Sequence, residues 1–276
     1  MALILALGAS LSWGAGDFLG GLASRRASVL TVLPFTQAAG LVGIAVVLVI
    51  ARDPVPSRDA ALVAAAAGAA GAVGLAGLYR GMAIGAMGVV APISGVAAIV
   101  PFTVGLVGGE RPSPIQLVGI VSALAGIALV SREPGGEGAR AAGVGLALLA
   151  AVGFGLYFTL TDVAADDAGA PWTVFVSRGT ATLLAVLVAL ALRAPLEGAR
   201  PLVRMMLAVG LFDVSANVLF GLATTKGLIS VVAVLASLYP VVTVVLARLV
   251  LGERISAPQR VGAGAALSGA AMITAG

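Results

Sequence analysis

One sequence pattern occurs twice in this chain of 276 residues, and it limits the possible folds more than any other feature. The first copy is Gly109-Glu110-Arg111, followed by Gln116, Gly119 and Gly126. The second copy is Gly252-Glu253-Arg254, followed at the same spacing by Gln259, Gly262 and Gly269. Both copies lead into an apolar run and follow a long apolar segment that contains proline. The shared register indicates two tandem copies of one module.

The two copies cannot be soluble domains, because the chain has too few polar residues to cover a water-exposed surface. Hydrophobic residues make up 60% of the sequence, charged residues make up 10%, and the mean hydropathy is +1.13. An ordinary soluble domain carries about 25% charged residues. Lipid is therefore the main solvent of this chain. Its apolar runs are long and do not alternate, which excludes a membrane β-barrel.

The apolar runs predict an all-α integral membrane protein with ten transmembrane helices, since each span needs about 20 mainly apolar residues. The predicted helices cover approximately 2–23, 29–51, 59–79, 84–108, 114–131, 141–161, 171–193, 202–222, 228–250 and 256–275. The Gly- and Glu-rich stretch from Arg132 to Arg140 divides them into repeats at 1–133 and 134–276. We interpret the first run as a helix and not as a signal peptide, because no positive segment precedes it and Arg25-Arg26 follow it.

Five helices in each repeat is an odd number, so the second repeat enters the bilayer from the side opposite to the first. This inverted-repeat arrangement predicts a binding site near the membrane midplane, between the halves, and allows alternating access.

The pattern of ten helices in two repeats, each with Gly-Glu-Arg before its last helix, resembles the EamA branch of the drug/metabolite transporter superfamily. Trp13-Gly14 and Phe154-Gly155 are similar to the start of each EamA repeat. The resemblance covers essentially the whole chain. It implies that the first four helices of each repeat line a central cavity and that the fifth and tenth support it. It also implies export of amino acids, other metabolites or toxic compounds.

Two indications of membrane orientation disagree. The resemblance implies cytoplasmic termini. Positive residues in the predicted loops are more numerous on the side away from the termini, which favours termini outside. The orientation therefore stays open at this point.

Ionisable residues within a membrane helix cost on the order of 2.5–3.5 kcal/mol at its centre, so we expect them to face a cavity or a partner. Asp213 lies midway along the eighth predicted helix, with Asn217 one turn later. It is a candidate proton, cation or substrate-amine site, or one half of an ion pair with Arg178. Arg178 cannot lose its proton, so it must bind an anionic substrate group or a structural partner. Gln37 occupies the equivalent place in the first repeat.

Asp17 follows Trp13 by one turn in the first predicted helix, and both are candidate cavity residues. The alternative for Asp17 is an interfacial cap near Arg25. Tyr157 and Tyr239 are candidate substrate-stacking or gating residues. Tyr79, near a predicted helix end, is instead expected in the interfacial aromatic belt.

Three prolines, Pro92, Pro101 and Pro240, favour kinks and are candidate hinges or static bends. Glu110 and Glu253 are expected to be structural caps or partners of the adjacent arginines.

The residues that are missing exclude several functions. No Cys or His is present, which removes disulfides, thiolate sites and a Ser-His-Asp triad and argues against an intramembrane enzyme. No phosphate-binding glycine loop is present either, so ATP hydrolysis is not expected. We expect no metal, cofactor or nucleic-acid partner.

The sequence thus predicts a multi-pass cell-membrane protein that is a secondary active transporter of a small polar or amphipathic metabolite, with protons as the candidate coupling ion. An uncoupled facilitator or channel is the alternative, and the oligomeric state stays open.

Overall fold

The computed structural model describes residues 1–51, 54–85, 87–130, 138–195, 198–252 and 256–275, and the regular elements of these residues are all helical. Eleven α-helices follow one another along this part of the chain: α1 Ala2–Ser24, α2 Val29–Ala51, α3 Arg58–Ile84, α4 Met87–Gly95, α5 Ile99–Val107, α6 Pro114–Val130, α7 Gly138–Ala191, α8 Val203–Thr224, α9 Ile229–Ala236, α10 Tyr239–Leu251 and α11 Ala257–Ala275. Short 3₁₀ turns, Val96–Ala98 and Arg200–Leu202, precede α5 and α8.

Seven helical stretches of the described residues are long and apolar enough to cross a bilayer. One of them, Gly143–Ala191, is about twice the length that a single span needs. Pro114–Leu129 is an additional apolar helix of shorter length. Large apolar side chains such as Val49, Val107 and Leu249 are exposed on the helix surfaces, as expected of a lipid-facing exterior. The fold is therefore that of a multi-pass helical membrane protein, while the count of ten spans stays a prediction.

Helix α7 replaces two predicted helices, 141–161 and 171–193, which the structure joins almost without a gap. Gly169 alone interrupts it, with φ of 68° and ψ of 160°. A positive φ is readily adopted only by glycine, and Pro171 then suits the first turn of the helix that follows. The two limbs of α7, before and after Gly169, therefore meet at a sharp bend with no loop between them.

Two other predicted helices, 84–108 and 228–250, correspond to the candidate spans Val90–Val107 and Ile229–Leu251, and each is interrupted near its middle, where the prolines had indicated a kink. The first consists of α4, a 3₁₀ turn and α5, and the second consists of α9 and α10. Pro101 and Pro240 each lie in the first turn of the second piece, where a missing N–H costs no helical hydrogen bond. Pro92 instead lies inside α4.

The helices pack across the two parts of the sequence, through glycines where the backbones come closest. Helix α1 packs on α8, α3 on α7, α4 on α10, and α6 on α11. A Cβ atom on Gly68 of α3 would lie 2.1 Å from the Ser177 carbonyl oxygen of α7, and one on Gly269 of α11 would lie 2.5 Å from the Gly119 carbonyl oxygen of α6. Small residues permit such approaches in membrane proteins.

Three hydrophobic clusters lie in the interior of the described residues. The first contains the apolar residues of α9 with Trp13, Phe158 and Phe220, the second contains Phe18, Tyr79 and Met206, and the small third contains Ile44, Val174 and Val214. Phe154 packs against the first two clusters, so these two meet near it. The candidate functional site lies at this junction.

Candidate functional site

A cavity of about 50 Å³ lies among α1, α2, α3, α7, α8 and α10, with room for a few water molecules, and several polar side chains interrupt its mainly apolar wall. Its wall contains eight side chains that the sequence singled out: Trp13, Asp17, Gln37, Tyr157, Arg178, Asp213, Asn217 and Tyr239. They come from five helices that are distant along the chain. The roles of these residues are not decided by their position, but the fold brings all eight to one place.

Asp213 is the centre of the polar contacts in this cavity. Its Oδ1 accepts hydrogen bonds from Trp13 Nε1 at 3.2 Å and from Asn217 Nδ2 at 3.0 Å. Its Oδ2 forms an ion pair with Nη1 of Arg178. Asn217 reaches Asp213 because residues four apart lie on the same face of a helix. Both oxygens of this partly buried carboxylate therefore have donors.

Arg178 is buried, with 7% of its surface exposed, and it links three helices. Besides pairing with Asp213 of α8, Nη1 donates a hydrogen bond to Oε1 of Gln37 on α2. Gln37 and Arg178, which occupy equivalent places in the two repeats, thus contact each other directly. Within the described chain, Nε of Arg178 has no acceptor, which leaves one buried donor unused.

Asn217 joins this centre to the N-terminal limb of α7. The hydroxyl of Tyr157 donates to Asn217 Oδ1 at 2.5 Å, and Asn217 Nδ2 also donates to the Asp213 carbonyl oxygen at 2.6 Å. A chain of hydrogen bonds therefore connects Tyr157, Asn217, Asp213 and Trp13 across three helices.

Asp17 lies on the same wall and has different surroundings. It is 7% exposed, yet among the described residues it accepts no hydrogen bond and forms no ion pair. It lies in the interior of α1, well before the helix ends at Ser24, so the alternative of an interfacial cap near Arg25 was wrong. The cavity therefore holds one carboxylate with a full set of donors and one with none.

Aromatic rings surround these polar groups. The Trp13 ring centroid lies 5.4 Å from that of Phe158, 5.6 Å from that of Phe220 and 6.5 Å from that of Tyr239. The Tyr239 hydroxyl shares a 2.7 Å hydrogen bond with Ser94 Oγ of α4. These rings form a rigid apolar border to the cavity.

Several residues near the site were not predicted from the sequence. Phe158 and Ser177 line the cavity, and Ser94 contacts Tyr239 beside it. Phe158 follows Phe154 by one turn, a spacing that could have indicated the same face. The placement of Tyr79 in an interfacial belt was wrong, because α3 continues to Ile84 and Tyr79 is buried against Gly20.

Glu110 of the first Gly-Glu-Arg motif lies away from the cavity, at the start of α9. Its carboxylate oxygens accept the backbone N–H groups of Ile229 at 2.9 Å and Ser230 at 3.1 Å. Those N–H groups have no acceptor within their own helix, so the glutamate caps it. Glu253 of the second motif lies outside the described residues.

A sequence profile of the EamA-like transporter family matches the chain twice, over residues 1–132 and again over residues 141–275. The chain belongs to the EamA-like transporter family. Its resemblance to that family, first drawn from the repeated Gly-Glu-Arg motif, is thereby confirmed. This EamA-like protein is a multi-pass membrane transporter of the drug/metabolite type.

Comparison with solved structures supports the same fold for this EamA-like chain. One crystal structure of another protein aligns with a TM-score of 0.70 at 20% sequence identity, covering 99% of this chain and 96% of the other. At that identity the likeness concerns the fold alone. Among curated proteins, no sequence matches this chain.

Proposed function

We propose that this EamA-like protein is a secondary active transporter of the cell membrane, which exports a small polar or amphipathic metabolite by alternating access. The substrate is amino-acid-like or drug-like in size. One observation carries the proposal: eight polar and aromatic side chains from five helices converge on a single buried cavity. Buried polar groups in a membrane protein are expensive, and such a cluster typically marks a substrate or ion pathway.

The second part of the proposal is an inverted repeat of ten helices. The two limbs of α7 count as two spans, the broken pairs α4–α5 and α9–α10 count as one each, and α6 and α11 complete the ten. The packing of α1 on α8 and of α3 on the N-terminal part of α7 supports a two-fold relation, because these pairs exchange equivalent helices of the two halves. A two-fold axis in the membrane plane would pass through the cavity.

The third part concerns movement and coupling. Pro92, Pro101 and Pro240 are the proposed hinges, and two of them flank the breaks near the cavity. Protons are the proposed coupling ion. Asp213 is one candidate carrier, but its ion pair with Arg178 and its two other donors favour Asp17 for this role.

Counterflow in proteoliposomes tests the proposal. Vesicles loaded with a panel of unlabelled metabolites are diluted into a trace of each labelled compound, with and without a pH gradient. A carrier predicts that unlabelled solute inside accelerates uptake of its labelled form, and coupling predicts that the pH gradient drives flux. Asp167→Asn, which changes an exposed side chain, is the control variant, and it should transport as the unsubstituted protein does. Flux without counterflow would show a channel, and counterflow that the pH gradient does not change would show an uncoupled facilitator.

A further inference from the structure

We propose that the substrate is an organic cation, an amphipathic amine or quaternary ammonium, whose positive charge binds at Asp17 in competition with a proton. This inference rests on the proposed transport function and names the substrate class of the same cavity. The apolar body of the cation packs against the aromatic rings around Trp13.

The charges that line the cavity do not balance one another. Besides its tyrosines, three ionisable side chains line the wall: Asp17, Arg178 and Asp213. Arg178 and Asp213 neutralise each other in an ion pair. Asp17 is left as a buried carboxylate without an opposite charge, which costs several kcal/mol if it stays ionised and alone. A bound proton or a bound cation removes that cost.

The two carboxylates of the cavity differ in what a ligand must displace to reach them. Three donors already occupy Asp213, so a ligand would have to displace Trp13, Asn217 or Arg178 to reach it. Displacing a partner from a buried charged group is strongly unfavourable. Asp17 offers both of its oxygens without any displacement, so it is the carboxylate that a cationic group reaches at least cost.

An anionic substrate is disfavoured at this position. The only guanidinium on the wall is already bonded to Asp213 and Gln37. An anion would need to break that pair while Asp17 repels it. A cation meets no such obstacle, and the electron-rich faces of Trp13 and the neighbouring rings favour it further.

The groups that face Asp17 set its response to pH. They are Asp213 from α8, Tyr79 from α3 and Tyr239 from α10, with Arg178 of α7 on the same wall. Because Arg178 and Asp213 remain paired, Asp17 is the group that exchanges a proton for the cation.

Trp13 provides a direct reporter, because the chain has only two tryptophans. In the Trp172→Phe background, the fluorescence of Trp13 is titrated in lipid nanodiscs with benzyltrimethylammonium, benzyl alcohol and phenylacetate. We expect saturable binding of the cation, at least tenfold tighter than of the other two probes. Its apparent Kd should rise as the pH falls, by up to tenfold per pH unit.

Substitutions at Asp17 test whether its carboxylate binds the cation. Asp17→Asn should weaken binding of benzyltrimethylammonium at least tenfold and abolish its pH dependence, whereas Asp17→Glu should keep that dependence and Asp167→Asn should change nothing. Gel filtration of each variant confirms that it is folded. Unchanged binding by folded Asp17→Asn, equal binding of the neutral or anionic probe, or no saturable response to the cation would overturn the proposal.

Counterflow of the same probes separates this inference from the transport function. If phenylacetate or benzyl alcohol exchanges and the cation does not, the cation assignment is wrong and the transporter stands. If the cation binds at Asp17 but no solute shows counterflow, the assignment of the site stands and transport is wrong.

Discussion

The first and second halves of the chain, residues 1–132 and 141–275, give the cavity unequal chemistry. A spacing of 141 residues relates Gln37 of the first half to Arg178 of the second, and the same spacing relates Asp17 to Phe158. The second half thus supplies a complete ion pair, Arg178 with Asp213, while the first supplies the carboxylate of Asp17, which has no partner in the part of the chain that the structure describes. A repeated backbone can therefore place side chains at equivalent positions while different residues at those positions give the two halves different charges and different roles.

The largest expected effect comes from making the second half resemble the first. Arg178→Gln would place glutamine at both equivalent positions and leave the partly buried Asp213 without its counter-charge. We expect a loss of about 3–5 kcal/mol in the free energy of unfolding, measured by equilibrium unfolding in mixed micelles. Adding Asp213→Asn should recover much of that loss. If the double variant shows the sum of the two single losses, the pair does not act as a unit.

A second prediction concerns the contact between the halves at the cavity. Gly68→Ala would push a Cβ atom against the Ser177 carbonyl oxygen, so α3 and α7 must separate. We expect a loss of about 1–3 kcal/mol in the same unfolding assay. Gly145→Ala is the matched control, because a Cβ atom there has no neighbour within 4 Å. Equal stability of the two variants would mean that this close approach is absent.

Tyr157 of the second half and Tyr79 of the first allow the two halves to be compared through the loss of a single hydroxyl group. Tyr157→Phe removes the donor to Asn217 Oδ1 and should cost about 0.6–1.7 kcal/mol, the range measured for hydrogen bonds between membrane helices. Tyr79→Phe in the first half should cost less, since its hydroxyl makes no hydrogen bond within the described residues. The two thermal denaturation curves can be recorded side by side, and a larger shift for Tyr79→Phe would contradict the proposed network.

The smallest expected effect lies outside the cavity, where the first half caps a helix of the second. Glu110→Gln keeps the shape of the cap and removes its charge, so we expect a loss of about 1 kcal/mol. Asp167→Asn removes an exposed charge without such contacts and serves as the control. Hydrogen exchange of the Ile229 and Ser230 amides should be faster only in Glu110→Gln, and unchanged exchange in that variant would show that the cap has no effect.

The sequence predicted the helices whose ends are clearly marked. The prediction 29–51 coincides with α2, and 114–131 differs from α6 by one residue, because turns with proline or polar residues mark their ends. Proline indicated a kink in each of the runs 84–108 and 228–250, but an apolar run has the same composition whether the helix bends or is interrupted, so the breaks between α4 and α5 and between α9 and α10 could not be placed. The end of α3 was placed five residues early, which displaced Tyr79 to the surface.

The residues that line the site could be predicted better than the hydrogen bonds and the ion pair among them. Helices that are consecutive and antiparallel bring Arg178 and Asp213 to similar depth, so their ion pair was one of two readings open from the sequence. The bond between Tyr157 and Asn217 and the cap of α9 by Glu110 depend on packing between distant segments. Local sequence patterns carry no information on such contacts. Likewise, the lack of a hydrogen-bond or ion-pair partner for Asp17 among the described residues can be seen only once its neighbours in the fold are known.

The central claim is that this cavity lies on a path that opens alternately to the two sides of the membrane. Ala181 lines the cavity and is 4% exposed, and the chain has no other cysteine to interfere with Ala181→Cys. Labelling with a membrane-impermeant maleimide would be measured in right-side-out and in inside-out vesicles. We predict modification from both sides, slowed in each case by a transported solute. Modification from one side only, or from neither, would contradict the claim.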